Sequence, residues 1–555
     1  MGTGTSTSTT ARPFFRVLGN AKLKLLAIFL TVSTILLLTL YSGDLSEDIS
    51  RNTKNESTNE KDYWTWETST RFRKSKHKND NDDTGNSQKA ACDAFPSDML
   101  SRIQIILKTS ATEDPKRIDT HMASVTRCIS NLLVISDKET ELHGHRVHDI
   151  LADLSPSSRN QTPEFEAYEA LQRGESNIDS ATGWKLDRFK FLPMVERAKK
   201  VNPSAEWYVF LETDTYFVWD NLFRMLEQFE PSSPLYMGSP APGRDIGDGK
   251  VNWFAYGGAG FVLSRAAVDA LVAREVGEYG EFIGQSLSEQ YMQVVRDDCC
   301  GDSVLGFALF EKGIELSGLW PMFNAHPLDS IPFGDNHHWC QPVISMHKSQ
   351  LGDMTGLADW EDERDRTKPL LYADLVDYPR LGQLSERKGW DNGAWGGIIE
   401  QPNTLPQHES LEACRQTCHD RDWCMSYTYD TAGVCVFVRS LRLGAKSKLE
   451  IAEQFTAGWD NDKIQNWRVN NMCEKPMWMK PKILRERITH FQSDCGFICP
   501  TIWFKETSQT HQKIKSYPYA TQESCISTQA THTWENKQYT DVLSSIRQAK
   551  GKKFL

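Results

Sequence analysis

The sequence predicts an α/β fold built on a mostly parallel sheet with helices on both faces. Three observations carry that expectation. Apolar runs of strand type alternate with segments of helical spacing, as a layered α/β sheet requires. The run Trp207-Tyr208-Val209-Phe210-Leu211 ends abruptly in Glu212-Thr213-Asp214, two carboxylates one residue apart. They fall at the carboxyl end of a strand, where open α/β sheets place ligands. Farther on, Tyr256-Gly257-Gly258-Ala259-Gly260 enters the apolar run Phe261-Val262-Leu263, a turn at which backbone can approach a ligand closely.

The elements follow in order. Ile103–Leu107 and Leu132–Ile135 read as buried parallel strands, being predominantly aliphatic runs without regular polar alternation. Trp184–Lys200 carries Leu186, Phe189, Phe191, Val195 and Ala198 at helical spacing. The acid-tipped strand comes next, then a helix over about Asn221–Phe229, a strand near Leu235–Met237, and helices over Arg265–Glu275 and Ser303–Glu311. Around Asp353–Trp395 the periodicity dissolves. A module with regularly spaced cysteines occupies about Glu400–Cys473, and the remainder is polar and irregular. No internal repeat is evident.

The chain has 555 residues, enough for two or three domains, and a net charge of −11. Apart from a short run near Arg71–Lys78 it has no basic stripe, which argues against nucleic acid as a partner. Thirteen cysteines, several clustered (Cys299-Cys300, then Cys414, Cys418, Cys424 and Cys435), suggest bridges formed in an oxidising compartment. We expect Cys92 to pair with Cys128. The count is odd, so at least one thiol falls outside the bridged set.

The amino end accounts for that compartment. Residues 25–41 are apolar and uncharged, preceded by Arg12, Arg16, Lys22 and Lys24 and followed by Asp44, Glu47 and Asp48. The charge asymmetry predicts a single-pass type II signal anchor, with residues 1–24 cytoplasmic and the rest luminal. The segment exceeds a usual signal-peptide core and lacks a small-x-small cleavage site, so cleavage is the lesser reading. A span this short suits a thin Golgi or endoplasmic reticulum membrane. Residues 42–95 are too polar to bury a core and read as a luminal stem. Asn55-Glu56-Ser57 and Asn160-Gln161-Thr162 are candidate glycan acceptors.

Two further segments join the acidic pair. Asp302, in Cys299-Cys300-Gly301-Asp302-Ser303, reads as a helix N-cap beside the positive end of a helix dipole. The strand-like run Trp339–Met346 delivers His347, whose imidazole would complete a two-carboxylate site and favour Mn²⁺ over Mg²⁺.

Taken together, Leu107-Lys108-Thr109, Thr126-Arg127-Cys128, Ile135-Ser136-Asp137, Asp187–Leu192, Trp207–Trp219, Trp253–Ser264, Cys300–Gly306 and Trp339–His347 resemble the fringe-like glycosyltransferase family 31. The likeness is strongest to its fungal branch, similar to core 1 β1,3-galactosyltransferases, and covers roughly residues 100–350. It implies a GT-A (Rossmann-like) domain over 96–385, a UDP-sugar donor, Mn²⁺ dependence and inversion at the anomeric carbon. It further implies that Glu212, Asp214 and His347 hold the metal, with Glu in place of the family's usual first Asp. Asp302 matches the general base, because Gly306 four residues on fixes the register; Asp297 and Asp298 are rivals. Thr109, Asp137 and Lys190 fall where the family lines the nucleotide pocket, Glu212 beside them, and Trp253, Gly257 and Gly258 match the donor-sugar loop. Galactose is the donor sugar that the core 1 likeness implies, and the acceptor is a glycan or glycoprotein.

The spacing Cys414-x3-Cys418-x5-Cys424-x10-Cys435, with Trp423, Tyr427 and Trp459, suits a disulfide scaffold better than a zinc site, since paired C-x2-C elements are missing. It looks like a PAN/apple module, which we bound at 386–475, leaving 476–555 as a tail of unknown role. The competing functional reading is an inactive glycan- or protein-binding chain, such as a folding helper, on the same scaffold.

Overall fold

In a computed structural model of the chain, the described residues are 63–65, 92 and 95–483, with short gaps at 161, 176–179, 333, 335–337, 379–385, 394–396, 403 and 448–453. The expected anchor at 25–41, the stem with its Asn55 acceptor, and the tail beyond residue 483 lie outside them. Among the described residues no helix is long and apolar enough to cross a membrane.

The first half of the central sheet comes from β1 (Ile103–Lys108), β2 (Leu132–Ser136), β3 (Thr140–Leu142), β4 (His145–Asp149) and β5 (Trp207–Glu212). After the two-residue strand β6 (Tyr216–Phe217) come β7 (Tyr236–Gly238), the hairpin β8 (Pro240–Gly247) and β9 (Lys250–Ala255), then β10 (Phe261–Ser264) and β11 (Leu316–Gly318). Short strands β12 (Phe323–Asn324) and β13 (Ser345–Met346) follow, and β14 (Arg387–Lys388), β15 (Ser426–Asp430), β16 (Val434–Val438) and β17 (Phe455–Trp459) build the carboxyl-terminal module. Last is β18 (Lys482–Ile483).

Nine of these form one sheet in the order β18-β11-β7-β10-β5-β1-β2-β4-β3. β5, β1, β2 and β4 run parallel, as the aliphatic runs predict. The sheet is nonetheless mixed: β10 lies antiparallel between β5 and β7, and β3 and β18 are antiparallel at its edges. The β8–β9 hairpin sets the direction of β10: β8 continues β7, the chain turns back at Asp248-Gly249, and β9 and β10 follow one another antiparallel to it with the glycine-rich turn between them. Phe210 and Phe261 stack there with ring centroids 4.6 Å apart. Each such side chain, fully removed from water, contributes about 1.5–3 kcal/mol.

Helices cover the sheet: α1 (Pro115–Ala123), α2 (Ser180–Asp187), α3 (Phe191–Val201), α4 (Trp219–Leu226), α5 (Arg265–Val272) and α6 (Gly301–Glu311). The single helix expected over Trp184–Lys200 is therefore two, broken at Arg188–Lys190, where Arg188 and Lys190 turn inward to ion pairs. The stretch that looked patternless begins with α7 (Leu351–Glu363), whose buried set includes Asp353 and Glu361 beside apolar residues. Glu361 accepts a hydrogen bond from Tyr216 and pairs with Arg364, so a polar residue extends the buried stripe of Met354, Leu357 and Ala358 and masks its periodicity.

The module packs α8 (Leu411–His419) on the four-stranded sheet β14-β17-β15-β16. Cys414–Cys435 and Cys418–Cys424 pin it, and Cys340–Cys473 ties its end to the preceding domain. Cys92 is bonded to Cys128. Past the tail boundary expected at 476, Trp478 is fully buried and β18 pairs with β11 at the edge of the central sheet. Cys299 and Cys300, expected among the bridged cysteines, are both free thiols.

Candidate active site

The acidic pair sits where β5 ends. The Thr215 amide donates to the Glu212 carbonyl at 3.0 Å, a tight turn that leads into β6. β6 pairs antiparallel with β13, Met346 opposite Tyr216. That ladder carries His347 to Asp214, with Nε2 3.3 Å from Oδ1. The ligand atoms of Glu212, Asp214 and His347 lie within 4.8 Å of one another.

Gly258 makes room for the imidazole: a Cβ there would lie 2.3 Å from His347 Nε2. The neighbouring Gly257 amide donates to Asp302 Oδ2 at 2.8 Å. One turn thus touches both the histidine and the candidate base. Tyr256, next to it, meets His347 edge-on with ring centroids 5.3 Å apart.

Asp302 is not the N-cap of α6. Cys300 occupies that position, and Asp302 lies in the first turn, accepting its neighbour Ser303's amide at 2.9 Å. Its carboxyl is buried, and that desolvation, with Glu212 nearby, pushes its pKa up to about 7 against the Gly257 hydrogen bond. α6 can lie this close because Gly306 packs on Phe254, whose Cβ would stand 2.2 Å from any added methyl. The rivals are otherwise occupied. Asp298 pairs with Arg244 at 2.8 Å and accepts from the Cys300 amide, while Asp297 is bound by Gln293 at the surface.

Two carboxylates of the metal set differ in character. Burial would raise the Asp214 pKa, but the His347, Arg117 and Lys348 charges outweigh it and hold the group ionised well below the ordinary carboxylate range. Glu212 is paired with Lys108, Nζ to Oε1 3.1 Å, across the β1–β5 ladder in which the two residues are register partners. Lys108 also lies 2.5 Å from Asp187, and these partners raise its pKa against the opposing effect of burial. A hard carboxylate oxygen facing an imidazole nitrogen across 3.3 Å fits a divalent cation of the Mn²⁺ kind. Asp214 and His347 are the better placed of the candidate ligands, and Glu212 is shared with Lys108.

Of the remaining expected residues, Thr109 and Asp137 follow the ends of β1 and β2, and Lys190 reaches both from the break between α2 and α3. Lys190 is wholly buried between Asp137 Oδ2 (2.9 Å) and the Thr109 carbonyl (3.0 Å). Asp137 also accepts from the Ala111 amide and Ser110 hydroxyl, and these donors with Lys190 depress its pKa against burial. Thr109 donates to Glu113, which Thr213 also binds. Trp253 is buried on β9. Sequence reasoning passed over Glu113 and Arg117, and it gave no role to Lys108 and Asp187, which it quoted only within the resembling segments. Lys108 carried a signal of its own: a cation closing an aliphatic strand, parallel to one that closes in an acid.

Residues 133–348 match the family model described as Fringe-like, so a Fringe-like domain occupies this part of the chain. The chain is 26% identical over 195 residues to the beta-1,3-N-acetylglucosaminyltransferase radical fringe of Xenopus laevis, covering 32% of this chain and 56% of that protein. It is 31% identical over 144 residues to the radical fringe protein of Gallus gallus (24% and 36% covered). To the lunatic fringe beta-1,3-N-acetylglucosaminyltransferase of Danio rerio it is 26% identical over 201 residues (32% and 50%). The chain spans between about a third and a little over half of these relatives' lengths.

Proposed function

We propose that the chain is an inverting glycosyltransferase that moves a hexose from a UDP-sugar to a hydroxyl of a glycan or glycoprotein. The observation that carries this reading is Asp302: a buried carboxyl, pushed up to about 7, held by the same turn that abuts His347. A base works best when its pKa lies near the working pH. An inactive binding chain has no use for that match, which disfavours the competing reading.

In this mechanism Asp302 takes the proton of the acceptor hydroxyl as that oxygen attacks the sugar opposite the departing diphosphate. The Gly257 and Ser303 amides keep its carboxylate aimed. Single displacement inverts the anomeric centre, giving a β-linked product from an α-linked donor. Asp214 and His347, with Glu212 in support, would hold Mn²⁺, which when bound neutralises the donor diphosphate. Lys108 keeps Glu212 and Asp187 from repelling the incoming phosphates.

We infer a β1,3 linkage, which both the core 1 likeness and the relatives' names support. The core 1 likeness favours galactose as donor sugar, and the relatives' names favour N-acetylglucosamine. The setting is a type II membrane protein of the Golgi or endoplasmic reticulum, anchored by residues 25–41, with the PAN/apple-like module holding acceptor glycoprotein near the cleft. A UDP-release assay with UDP-galactose, UDP-N-acetylglucosamine and UDP-glucose, with and without Mn²⁺, tests the reading. Metal-stimulated release with one of them is expected; UDP binding without turnover of any donor would sink it in favour of the binding protein.

A further inference from the structure

We propose that the adjacent pair Cys299-Cys300 is a reversible dithiol–disulfide site, closed by a small disulfide of the glutathione class, and that its closure displaces the first turn of α6. Among the described residues eight cysteines form four bridges and only these two are free. Four bridges mark a chain matured where thiols are oxidised. Both free thiols are partly exposed, and their sulfurs lie within 4.8 Å of each other.

The pair also lies within 4.8 Å of an Asp298 oxygen, an arrangement that might suggest a metal. Asp298 argues against one, since it already accepts from Arg244 at 2.8 Å, the Cys300 amide at 3.1 Å and the Ser303 hydroxyl at 3.2 Å. Sulfur chemistry remains. The Cys299 hydrogen bond, burial and nearby Asp302 hold the Cys300 thiol protonated, which leaves Cys299 to attack first. Cys299 thiolate displaces one thiol from the small disulfide and forms a mixed disulfide. Cys300 then gives up its proton, attacks the Cys299 sulfur and releases the second thiol. Two electrons and two protons pass from the pair to the small disulfide, which leaves as two thiols.

Neighbouring Cα atoms stand only about 3.8 Å apart. Ordinary bridges span roughly 4.4–6.8 Å, and the four in this chain span 5.0–5.5 Å. Closing the pair must therefore distort the peptide that joins it, and strained bridges are the more readily reduced ones. Cys300 is the N-cap residue of α6, and its carbonyl accepts the Val304 amide at 3.3 Å. The distortion passes directly to Gly301 and Asp302. Only the consequence for transfer rests on Asp302 being the base; the sulfur chemistry does not.

The test uses the full chain, made through an oxidising secretory route, treated with glutathione disulfide, and thiol-blocked without reduction. The tryptic peptide Asp297–Lys312 is expected unblocked and lighter by the lost hydrogen pair. Mild dithiothreitol should open it while the four other bridges persist. Amide exchange at Gly301–Ser303 should differ between the two states, and in Cys299→Ser it should ignore glutathione. Where transfer is measurable, it should change with the pair's state in the parent chain alone. A pair that stays fully blockable after oxidation, or that is joined to another cysteine peptide, overturns the proposal. So does closure with unchanged exchange. A chain with no transfer activity but the expected masses and exchange would count against the enzyme reading alone.

Discussion

The Gly257 amide donates to Asp302 Oδ2 at 2.8 Å, and the next residue of that turn, Gly258, lies against His347. The proposed base and the candidate metal-binding histidine are thereby positioned by consecutive backbone positions. In the proposed mechanism this turn would link proton removal to leaving-group stabilisation, and at Gly258 it leaves no room for a side chain.

Asp302→Asn is expected to retain UDP binding and to lose transfer by about 10²–10⁴-fold, the usual contribution of a positioned base. Asp298→Asn should act differently: it forfeits the Arg244 pair and lowers stability more than turnover. Initial rates alongside UDP titration calorimetry distinguish the two. Near-normal turnover in Asp302→Asn, with loss in Asp298→Asn, would reassign the base.

Transfer should rise with pH through about 7, because the base must be deprotonated and its pKa stands there. Stability moves the opposite way. Asp302 binds its proton more tightly folded than unfolded, so its contribution is complete below about 4 and is lost as pH rises through about 7. Relative to the parent, Asp302→Asn should gain about 2–4 kcal/mol between pH 4 and pH 8. Urea unfolding at both values checks this, and a pH-independent difference would refute it.

Gly258→Ala would place a methyl 2.3 Å from His347 Nε2. Displacing a ligand or its support typically costs about 10–100-fold in metal affinity. Mn²⁺ titration followed by calorimetry should show that loss. Gly257→Ala meets its neighbours at 3.0–3.2 Å and should weaken Mn²⁺ binding less. Equal effects from both would mean that His347 does not depend on the gap.

Lys108→Met removes the cation between Asp187 and Glu212. Both carboxylates keep about a quarter of their exposure (25% and 26%), so the cost falls below that of a fully buried pair, about 2–4 kcal/mol. Denaturant midpoints measure it. A change within about 0.5 kcal/mol, the range of ordinary surface substitutions, would show that the ion pairs are inert.

Much of the fold was legible because it is written in local pattern. β1, β2 and β5 are predominantly aliphatic or aromatic runs, and their parallel pairing follows from burial on both faces. The direction of β10 was not legible, since three apolar residues in a row look alike in either direction. α7 escaped notice because its buried stripe of Met354, Leu357 and Ala358 is short and is flanked by the buried acids Asp353 and Glu361, the latter held by Tyr216 and Arg364. The Asp302 segment was found by spacing, but its place within the helix was not, because capping depends on backbone angles that residue types only bias.

From the chain's order alone come the acids at the end of β5, the glycines before β10 and the candidate base ahead of Gly306, since each is a short-range arrangement. Tertiary structure decided that β13 pairs with β6, bringing His347 to Asp214, and that Lys108 claims part of Glu212. Those outcomes depend on which distant strands lie side by side. Side-chain type constrains a residue's neighbours along the chain, whereas charge pairing and desolvation depend on neighbours that only folding supplies.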